Sequence, residues 1–504
     1  MSLQLESPAT SPHAPFAVSA PLVELLEAYR AAGTVPFSGP GHKLGAGAAP
    51  ELLAVVGPEL FASDVWLDTA GFDRALRAAQ DLAAGTWGSD TCFFLGNGSS
   101  SGNHAFLLGT VGPGDEVVVG RDLHKSLLAA LILTGARPVY VAPRLHPTLG
   151  VGLGVHPDDV AAALDAHPDT RLVALTSPNY FGVTADLPAV VAAAHARGVP
   201  VYVDEAWGPH LGFHPRLPTS AMAAGADAAV TSTHKLLSSL SQSSILNVRW
   251  GRLAAGRLEA AVKLTQTTSP LLPLLASIDA CRRQLARDGQ ALLDRALELA
   301  ASATEQLRRL PGLRVLDAGR LGLGPDRFDP TKLVVDVTGL GISGPAAERA
   351  LRERCAVAPE GSDLASVICM ITLGDSDTSV GQLVGAFAAL CAERVPVPGA
   401  AAPRSWGSVI APGPQAMTPR DAFFAPARSM PLARAAGRVA AELVTPYPPG
   451  IPVLAPGEQI TQAKLAYLAT ARAQGIHLRG PADPTLATIR VVVAAERSEP
   501  PWTA

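Results

Sequence analysis

The chain has 504 residues, 48% of them hydrophobic and 17% charged, a composition that excludes collagen-like and disordered proteins. Its 40 basic and 44 acidic residues leave a net charge of −4, which argues against a nucleic-acid-binding surface. No apolar run is long enough to span a membrane, and residues 1–20, which lack Lys and Arg, do not resemble a signal or transit peptide.

The predicted elements begin with an N-terminal arm and a helix over 21–32, where apolar residues recur at helical spacing. From about 85 to 250, short apolar runs alternate with helical segments rich in Ala and Leu. The runs cover 116–119, 138–142, 172–176, 199–203 and 228–231, and the helical segments lie near 100–111, 124–134, 157–166, 186–197 and 217–224. Such alternation indicates a mainly parallel sheet, whose ligands bind beyond the carboxyl ends of the strands.

A long helical pattern over 276–309 follows, and apolar runs at 332–337 and 367–373 predict a smaller α/β domain. The Pro/Ala/Gly-rich segment 393–407 is typical of a linker. Helical patterns, a turn-rich segment at 446–458 and a strand-like run at 488–496 complete the chain. The predicted division is an arm and helix (1–37), a large domain (38–275), a small domain (276–395) and a C-terminal domain (396–504).

The five cysteines are irregularly spaced and include no CxxC pair: Cys92, Cys281, Cys355, Cys369 and Cys391. This pattern indicates neither a disulfide framework nor a zinc site, and we predict no metal site elsewhere in the chain. We therefore expect an enzyme of the reducing cytoplasm.

Polar clusters follow three of the predicted strands. In FFLGNGSSSGNHA (93–105), glycines flank Ser99 and Ser100 at the start of a helix, where free N–H groups and hydroxyls can hold a phosphate. The segment is neither a Walker A loop nor a GxGxxG motif, and a plain turn is the alternative. Asp204 and Glu205 follow the apolar run 199–203. A carboxylate at such a place is either paired or functional, with a helix N-cap as the alternative.

The third cluster contains Lys235, one of only six lysines in the chain. It follows His234 just after the run 228–231, among small neutral residues with no acid nearby. A desolvated lysine has a lowered pKa and can act as a nucleophile, whereas a solvated loop lysine is the ordinary alternative.

Together the three clusters fit pyridoxal 5′-phosphate, which needs a Schiff-base lysine, an acid at its pyridine nitrogen and a phosphate cradle. The order of cradle, Asp204 and Lys235 is that of the aspartate-aminotransferase-like, or fold type I, enzymes. His124 follows another predicted strand, where an imidazole can stack on the cofactor ring. Alone, a histidine there would be structural.

Longer motifs narrow the resemblance. They are SGPGHKLGAG (38–47), GNGSSSGNHA (96–105), GPGDEVVVGRDLHKS (112–126), SPNYFGVTADL (177–187), VDEAWGPHLGFHPRLPTSAMAAGAD (203–227), STHKLLSSLSQSSIL (232–246), TTSP (267–270) and TPYPPGIPVLAPGEQIT (445–461). From about residue 35 onward the chain resembles the bacterial ornithine/lysine/arginine decarboxylases, in the short form without an N-terminal wing domain. The resemblance implies a fold type I domain, a smaller α/β domain and an α+β C-terminal domain.

The resemblance also implies roles for individual residues. Lys235 would carry the cofactor, Asp204 would contact the pyridine nitrogen, and His234 would lie near the bond that breaks. The remaining cofactor positions are Ser99, Ser100 and Ser232 at the phosphate, His124 and Ala206 on opposite ring faces, and Trp207 beside Ala206. Thr267 and Thr268 resemble a segment that reaches the phosphate of a neighbouring subunit, which implies a homodimer or larger homo-oligomer with shared active sites.

The implied reaction converts ornithine, lysine or arginine to a diamine or agmatine with loss of CO₂. The distal cation of such a substrate needs an acid, for which Glu360, Asp363 and Glu458 are the candidates, and the Pro/Gly frame favours Glu458. An aminotransferase, aldolase or lyase of the same fold is the nearest alternative. A catalytically inactive homologue is disfavoured, because Lys235 and Asp204 are both present.

Overall fold

The computed structural model describes residues 19–65, 67, 69–393, 410–447 and 450–493. The arm before residue 19, nearly all of the predicted linker 393–407 and the last residues of the predicted strand 488–496 lie outside the described residues. No described helix is long and apolar enough to cross a membrane. The five cysteines are free thiols, and a cytoplasmic location stays a prediction.

A seven-stranded sheet forms the centre of the large domain. Its strands are β1 (Thr91–Leu95), β2 (Glu116–Gly120), β3 (Arg137–Val141), β4 (Leu172–Thr176), β5 (Val201–Asp204), β6 (Ala228–Thr231) and β7 (Ser244–Val248). Their order in space is β1-β7-β6-β5-β4-β2-β3. Strand β7 runs antiparallel to both of its neighbours, and the other pairs are parallel. The predicted mainly parallel sheet is confirmed. The sequence pattern did not reveal β7, and it indicated β1 only as the strand end before the Gly/Ser cluster.

Helices cover both faces of this sheet. The large domain contains α1 (Pro21–Ala31), α2 (Pro50–Val56), α3 (Pro58–Ser63), α4 (Thr69–Trp87), α5 (Gly98–Thr110), α6 (Lys125–Thr134), α7 (Pro157–Ala166), α8 (Leu187–His195), α9 (Thr233–Leu236) and α10 (Ala255–Thr265). Because side chains alternate along a strand, Val117 and Val119 pack in one cluster with Phe106, while Val118 packs in another with Val190. Burial on both faces explains the uninterrupted apolar runs.

The helix predicted over 217–224 is wrong. Residues 221–225 form turns, and the buried Glu205 carboxyl group accepts a hydrogen bond of 2.7 Å from the Ala221 N–H. The Glu205 side chain thus satisfies the Ala221 N–H, which has no helical carbonyl partner. The sequence pattern missed this contact because it joins residues 16 positions apart.

The small domain begins on α11 (Leu272–Arg308), a long helix that contains the predicted boundary at 275/276. Its antiparallel sheet has the order β10-β11-β9-β8. The elements are β8 (Arg314–Val315), β9 (Lys332–Asp336), α12 (Gly344–Cys355), β10 (Gly361–Ser362), β11 (Ser366–Met370) and α13 (Asp377–Glu393), with 3₁₀ turns at Pro325–Arg327 and Thr338–Leu340. The predicted α/β character of this part is confirmed.

The C-terminal part combines helices with two small antiparallel sheets, as the resemblance implied. Its elements are α14 (Pro419–Phe424), β12 (Ala427–Pro431), a 3₁₀ turn (Leu432–Arg434), β13 (Thr445–Pro446), α15 (Gln462–Ala473), β14 (Leu478–Arg479) and β15 (Thr488–Val492). Strand β12 pairs with β15, and β13 pairs with β14. The segment between β13 and α15 packs against the large domain at the end of β2.

Candidate active site

Lys235 lies on the short helix α9, directly after the central strand β6. Its Nζ lies 3.9 Å from the centroid of the Trp207 ring. Burial lowers the pKa of the Lys235 ammonium, an effect that the charges of Asp204 and Glu360 oppose only in part. A lysine with a lowered pKa holds more of the neutral amine, which is the nucleophilic form.

Asp204 is the last residue of β5 and is only 3% exposed. Its carboxylate accepts hydrogen bonds from Asn103 Nδ2 at 2.8 Å and from the Ala206 N–H at 3.2 Å. Burial raises the pKa of this carboxyl group, although the Asn103 hydrogen bond lowers it. In the described part of the chain no Lys, Arg or His nitrogen forms an ion pair with Asp204, so this buried acid fits a cation that a bound group would bring.

The amide of Asn103 connects Asp204 to a second strand end. Tyr202 Oη donates to Asn103 Oδ1 at 2.6 Å, which orients the amide so that its two N–H bonds point to Asp204 and to Ser126 Oγ at 2.8 Å. Sequence reasoning missed Asn103. Its position four residues after Ser99 puts both on one face of α5, a spacing that could have identified it.

His124 caps the N-terminus of α6 and belongs to the same network. Its Nδ1 lies 2.7 Å from Ser126 Oγ and accepts the Ser126 N–H at 3.3 Å. Because Nδ1 accepts the Ser126 N–H, it carries no proton, so the Ser126 hydroxyl donates to it and we assign the ring as the Nε2–H tautomer. Burial, followed by the charges of Lys235 and Lys125, lowers the pKa of His124 to about 3. The imidazole is therefore neutral near pH 7.

Hydroxyls gather at the start of α5. Ser232 Oγ donates to Ser99 Oγ at 3.0 Å, and Ser100 lies in the same first helical turn. No side chain caps this helix start. A Cβ on Gly102 would lie 2.6 Å from Val230 Cγ2, so the glycine allows α5 to approach β6 closely. The positive end of a helix with three hydroxyls fits a phosphate group.

His234 has one of its ring nitrogens fixed. His234 Nδ1 lies 2.7 Å from the Ser243 carbonyl oxygen, which only accepts, so Nδ1 carries a proton and donates it. Burial lowers the pKa of this imidazole, and the nearby Lys235 charge lowers it further. Near pH 7 the ring is neutral, and its Nε2 is the proton-accepting nitrogen.

A second lysine, which sequence reasoning missed, lies beneath Trp207. Lys332, the first residue of β9, is 1% exposed, and its Nζ lies 3.4 Å from the centroid of the Trp207 ring. This Nζ has no hydrogen-bond partner in the described chain. Burial lowers the pKa of Lys332 to about 7, against the opposing charges of Glu360 and Asp329. The sequence signal that could have identified Lys332 is its position at the start of an apolar run.

The three acids proposed for a substrate cation lie in different surroundings. Glu360 is half-buried, and its carboxylate interacts with the charges of Lys332 and Lys235. Asp363 is buried and accepts the backbone N–H groups of Ala365 and Ser366, which closes a turn. Glu458 is fully buried and pairs with two cations, described below. Only Glu360 is placed in electrostatic contact with Lys235.

Thr267 and Thr268 are exposed and follow α10. The preceding Gln266 binds the cradle: its Oε1 accepts the Gly96 N–H at 3.2 Å, and its Nε2 donates to Ser101 Oγ at 3.1 Å. The Thr267 hydroxyl accepts the Ser269 N–H. The two threonines are thus adjacent to the cradle in the chain but remain on the surface, and a contact with a neighbouring subunit stays a prediction.

The structure therefore brings together the predicted group at one edge of the sheet: Lys235, His234, Asp204, His124, Ser99, Ser100, Ser232, Ala206 and Trp207. Three features of the site suit pyridoxal phosphate. They are a buried acid with no ion-pair partner among the described residues, a helix start that carries hydroxyls and no side-chain cap, and a lysine of lowered pKa.

Comparison with known proteins identifies two matching family models. The Orn/Lys/Arg decarboxylase major domain matches residues 20–320, and the C-terminal domain of the same family matches residues 410–482. The chain is 40% identical to an arginine decarboxylase of Halalkalibacterium halodurans over 94% of this chain and 97% of that protein. It is 38% identical to an arginine decarboxylase of Bacillus subtilis, with the same coverage.

Solved structures show the same fold. A lysine decarboxylase of Francisella novicida superposes with a TM-score of 0.81 and 22% identity, over 95% of this chain and 82% of that one. A constitutive lysine decarboxylase of Escherichia coli superposes with a TM-score of 0.77 and 20% identity, over 94% and 82%. A more distant likeness, with a TM-score of 0.53, is to a serine palmitoyltransferase of Sphingomonas wittichii.

Proposed function

The chain belongs to the Orn/Lys/Arg decarboxylase family, and from that premise we propose that it is a pyridoxal-phosphate enzyme that converts arginine to agmatine and CO₂. The observation that carries the proposal is the buried Asp204 carboxylate, which forms no ion pair with any described residue and lies near a lysine of lowered pKa. Arginine is favoured over lysine and ornithine because the relatives at 40% and 38% identity are arginine decarboxylases.

The cofactor supplies an electron sink for the pair that remains on Cα when CO₂ departs. Lys235 would hold the cofactor covalently through its Nζ. Asp204 would keep a proton on the ring nitrogen, since a buried carboxylate gains most from a cation beside it. Ser99, Ser100 and Ser232 would hold the phosphate at the start of α5.

His234 is suited to handle the proton that replaces CO₂. The net reaction consumes one proton, which must reach Cα as the carboxylate leaves. Because Nδ1 is committed to the Ser243 carbonyl, only Nε2 of His234 can take up and deliver this proton. A lowered pKa makes the protonated imidazole a strong acid, which favours delivery.

Glu360 is the acid that we propose for the distal guanidinium. Asp363 is occupied by two backbone donors, and Glu458 has no exposed surface and two cationic partners. Glu360→Gln should raise KM for arginine by the equivalent of about 1.5–3 kcal/mol, the scale of a charge-assisted hydrogen bond, and should change cofactor affinity little. Glu353→Gln, at an exposed acid on α12, is the control. Equal KM values for the two variants would remove Glu360 from this role.

We also propose that the active enzyme is a homodimer in which Thr267 and Thr268 approach the phosphate of the partner subunit. The exposure of both residues beside the cradle segment supports this arrangement.

The decisive experiment offers the purified protein, with pyridoxal phosphate, arginine, lysine and ornithine in separate assays. Agmatine from arginine is the expected product, and Lys235→Ala should abolish both turnover and the visible absorption of the bound cofactor. Formation of a keto acid that retains the carboxylate would instead identify an aminotransferase. Cadaverine or putrescine as the only product would move the assignment to lysine or ornithine.

A further inference from the structure

The turn of the C-terminal part that begins at Gly450 packs directly on the imidazole of His124. A Cβ at position 450 would lie 2.9 Å from His124 Cδ2 and 3.1 Å from His124 Nε2. The Gly450 carbonyl oxygen accepts the Lys125 N–H at 3.2 Å, on the residue that follows the histidine. Gly450 also has φ +87°, a conformation that other residues adopt only with strain. Position 450 thus excludes side chains for two independent reasons.

The same segment holds the other end of the loop that carries His124. Arg121 follows β2 directly, and its guanidinium is 1% exposed. It donates to Glu458 Oε1 through Nε at 2.7 Å and to Glu458 Oε2 through Nη2 at 2.9 Å. Its Nη1 donates to the Pro452 carbonyl oxygen at 2.7 Å. This is a bidentate pair with a further backbone contact, the geometry that restricts a guanidinium most.

Charge keeps this pair in place. Lys464 Nζ donates to Glu458 Oε2 at 2.7 Å, so one carboxylate serves two buried cations. Burial by itself would raise the pKa of Glu458, but Arg121 and Lys464 outweigh it and hold that pKa below its ordinary value. The carboxylate therefore remains ionised over the pH range in which an enzyme works.

The loop 121–125 is consequently fixed from both sides by residues 450–458. On one side Glu458 and Pro452 hold Arg121, and on the other Gly450 contacts His124 and binds the Lys125 N–H. Within the large domain, Ser126 fixes only the Nδ1 edge of the ring. The opposite edge, Cδ2 and Nε2, is the one that faces Gly450.

We propose that residues 450–458 are a positioning element of the active site, which sets the orientation of the His124 imidazole against the cofactor ring. The inference rests on the proposed function, because the cofactor ring is what His124 would stack on. In this proposal the C-terminal part positions the cofactor, and Glu458 supports that position instead of binding the substrate.

Gly450→Ala is the test, with Gly437→Ala as the matched control. Gly437 lies in the same C-terminal part with φ +75°, but apart from its chain neighbours no described residue lies within 4 Å of the Cβ that alanine would add. Both variants therefore carry similar backbone strain, and only the first pushes on His124. The measurements are the pyridoxal phosphate dissociation constant, the visible circular dichroism of the bound cofactor, and kcat and KM.

Gly450→Ala should weaken cofactor binding about tenfold, alter the visible dichroism and lower kcat by about 10- to 100-fold, the scale of a misplaced reacting group. Gly437→Ala should stay within about twofold of the parent, since its strain affects only folding. In a His124→Ala background, Gly450→Ala should have no further effect on the dichroism, because its contact is gone.

Two outcomes would overturn the inference while leaving the proposed function intact. One is equal behaviour of the two glycine variants, and the other is full additivity of Gly450→Ala with His124→Ala. Should the parent protein bind no pyridoxal phosphate, the proposed function itself fails. If Gly450→Ala does not fold, Arg121→Lys keeps the charge but loses the bidentate geometry, and it should reproduce the altered dichroism.

Discussion

At the scale of residues, the acid that ends β5 and the histidine that follows β2 share one hydrogen-bond network. Asp204 and His124 are connected through Asn103 and Ser126, and Tyr202 orients the amide that connects them. Buried networks of this kind hold their members in one arrangement, because any other arrangement leaves a polar atom without a partner. The site is therefore rigid on the side of Asp204 and His124.

Asp204→Asn tests the charge of this network without changing its shape. Asparagine can keep a hydrogen bond in the same place but cannot balance a protonated ring nitrogen, so cofactor binding should largely survive. We expect turnover to fall by several powers of ten, since each power of ten corresponds to about 1.4 kcal/mol of activation free energy. The measurement is the turnover rate of Asp204→Asn saturated with cofactor. A near-normal rate would show that Asp204 does not hold the proton on the ring nitrogen.

Glu205 offers a pH-dependent prediction. Burial raises the pKa of this carboxyl group to about 8, although the Ala221 N–H bond opposes the shift. Between the unfolded pKa of about 4.3 and the folded value, the folded chain holds a proton that the unfolded chain has lost. The contribution of Glu205 to stability is thus present at low pH and is lost as pH rises to about 8.

Denaturant unfolding of the parent and of Glu205→Gln between pH 5 and 8 checks this. The free energy of unfolding of the parent should decline relative to the variant by up to about 1.4 kcal/mol per pH unit, the limit for one proton. Glutamine can still accept the Ala221 N–H, so the variant is a matched control. Parallel pH profiles would contradict the prediction.

At the scale of elements, the contact of α5 with the central sheet determines where the phosphate cradle lies. The helix packs over β6 at Gly102, where any side chain would meet Val230 and Leu95. Close packing fixes the helix start relative to Ser232, which explains the 3.0 Å bond between Ser232 and Ser99.

Gly102→Ala should therefore destabilise the fold by about 1–3 kcal/mol, the usual cost of overpacking, and weaken cofactor binding because α5 must move. Gly385→Ala is the control: it lies in α13, and apart from the adjacent helix backbone no described residue lies within 4 Å of the added Cβ. It should raise stability by up to about 1 kcal/mol through helix propensity. Thermal unfolding and cofactor titration measure both effects. If Gly102→Ala is destabilised but binds the cofactor as tightly as the parent, the packing of α5 at Gly102 does not determine the position of the phosphate cradle.

At the scale of the whole molecule, the buried Glu458 carboxylate is one of the contacts that join the C-terminal part to the large domain. Glu458 pairs with Arg121 after β2 and with Lys464 on α15. Glu458→Gln leaves two buried cations without their anion, so it should destabilise the protein by about 3–5 kcal/mol. The melting temperature should fall clearly, whereas KM for arginine in the remaining folded enzyme should change less than in Glu360→Gln. The reverse order of KM effects would restore Glu458 as the substrate acid.

The sequence alone was sufficient for the fold class and for the order of cradle, acid and lysine. Strands β4 and β6 match their predicted bounds, since strands buried on both faces leave an unbroken apolar run. The antiparallel β7 was missed, because its residues Ser244–Val248 begin in a serine-rich stretch that lacks such a run. The strand-end clusters and the needs of pyridoxal phosphate already grouped Lys235, Asp204 and His124, the family resemblance agreed, and the structure gathers all three.

What only the tertiary structure decided is which polar groups meet across long separations in the chain. Arg121 and Glu458 are 337 residues apart, and no local pattern indicates that a framed glutamate pairs with an arginine rather than with a substrate. Lys332 and Asn103 carried local signals of their own, but their contacts with the Trp207 ring and with Asp204 depend on packing in the same way. Periodicity records which side of an element is buried, whereas the identity of a polar partner depends on how the elements pack.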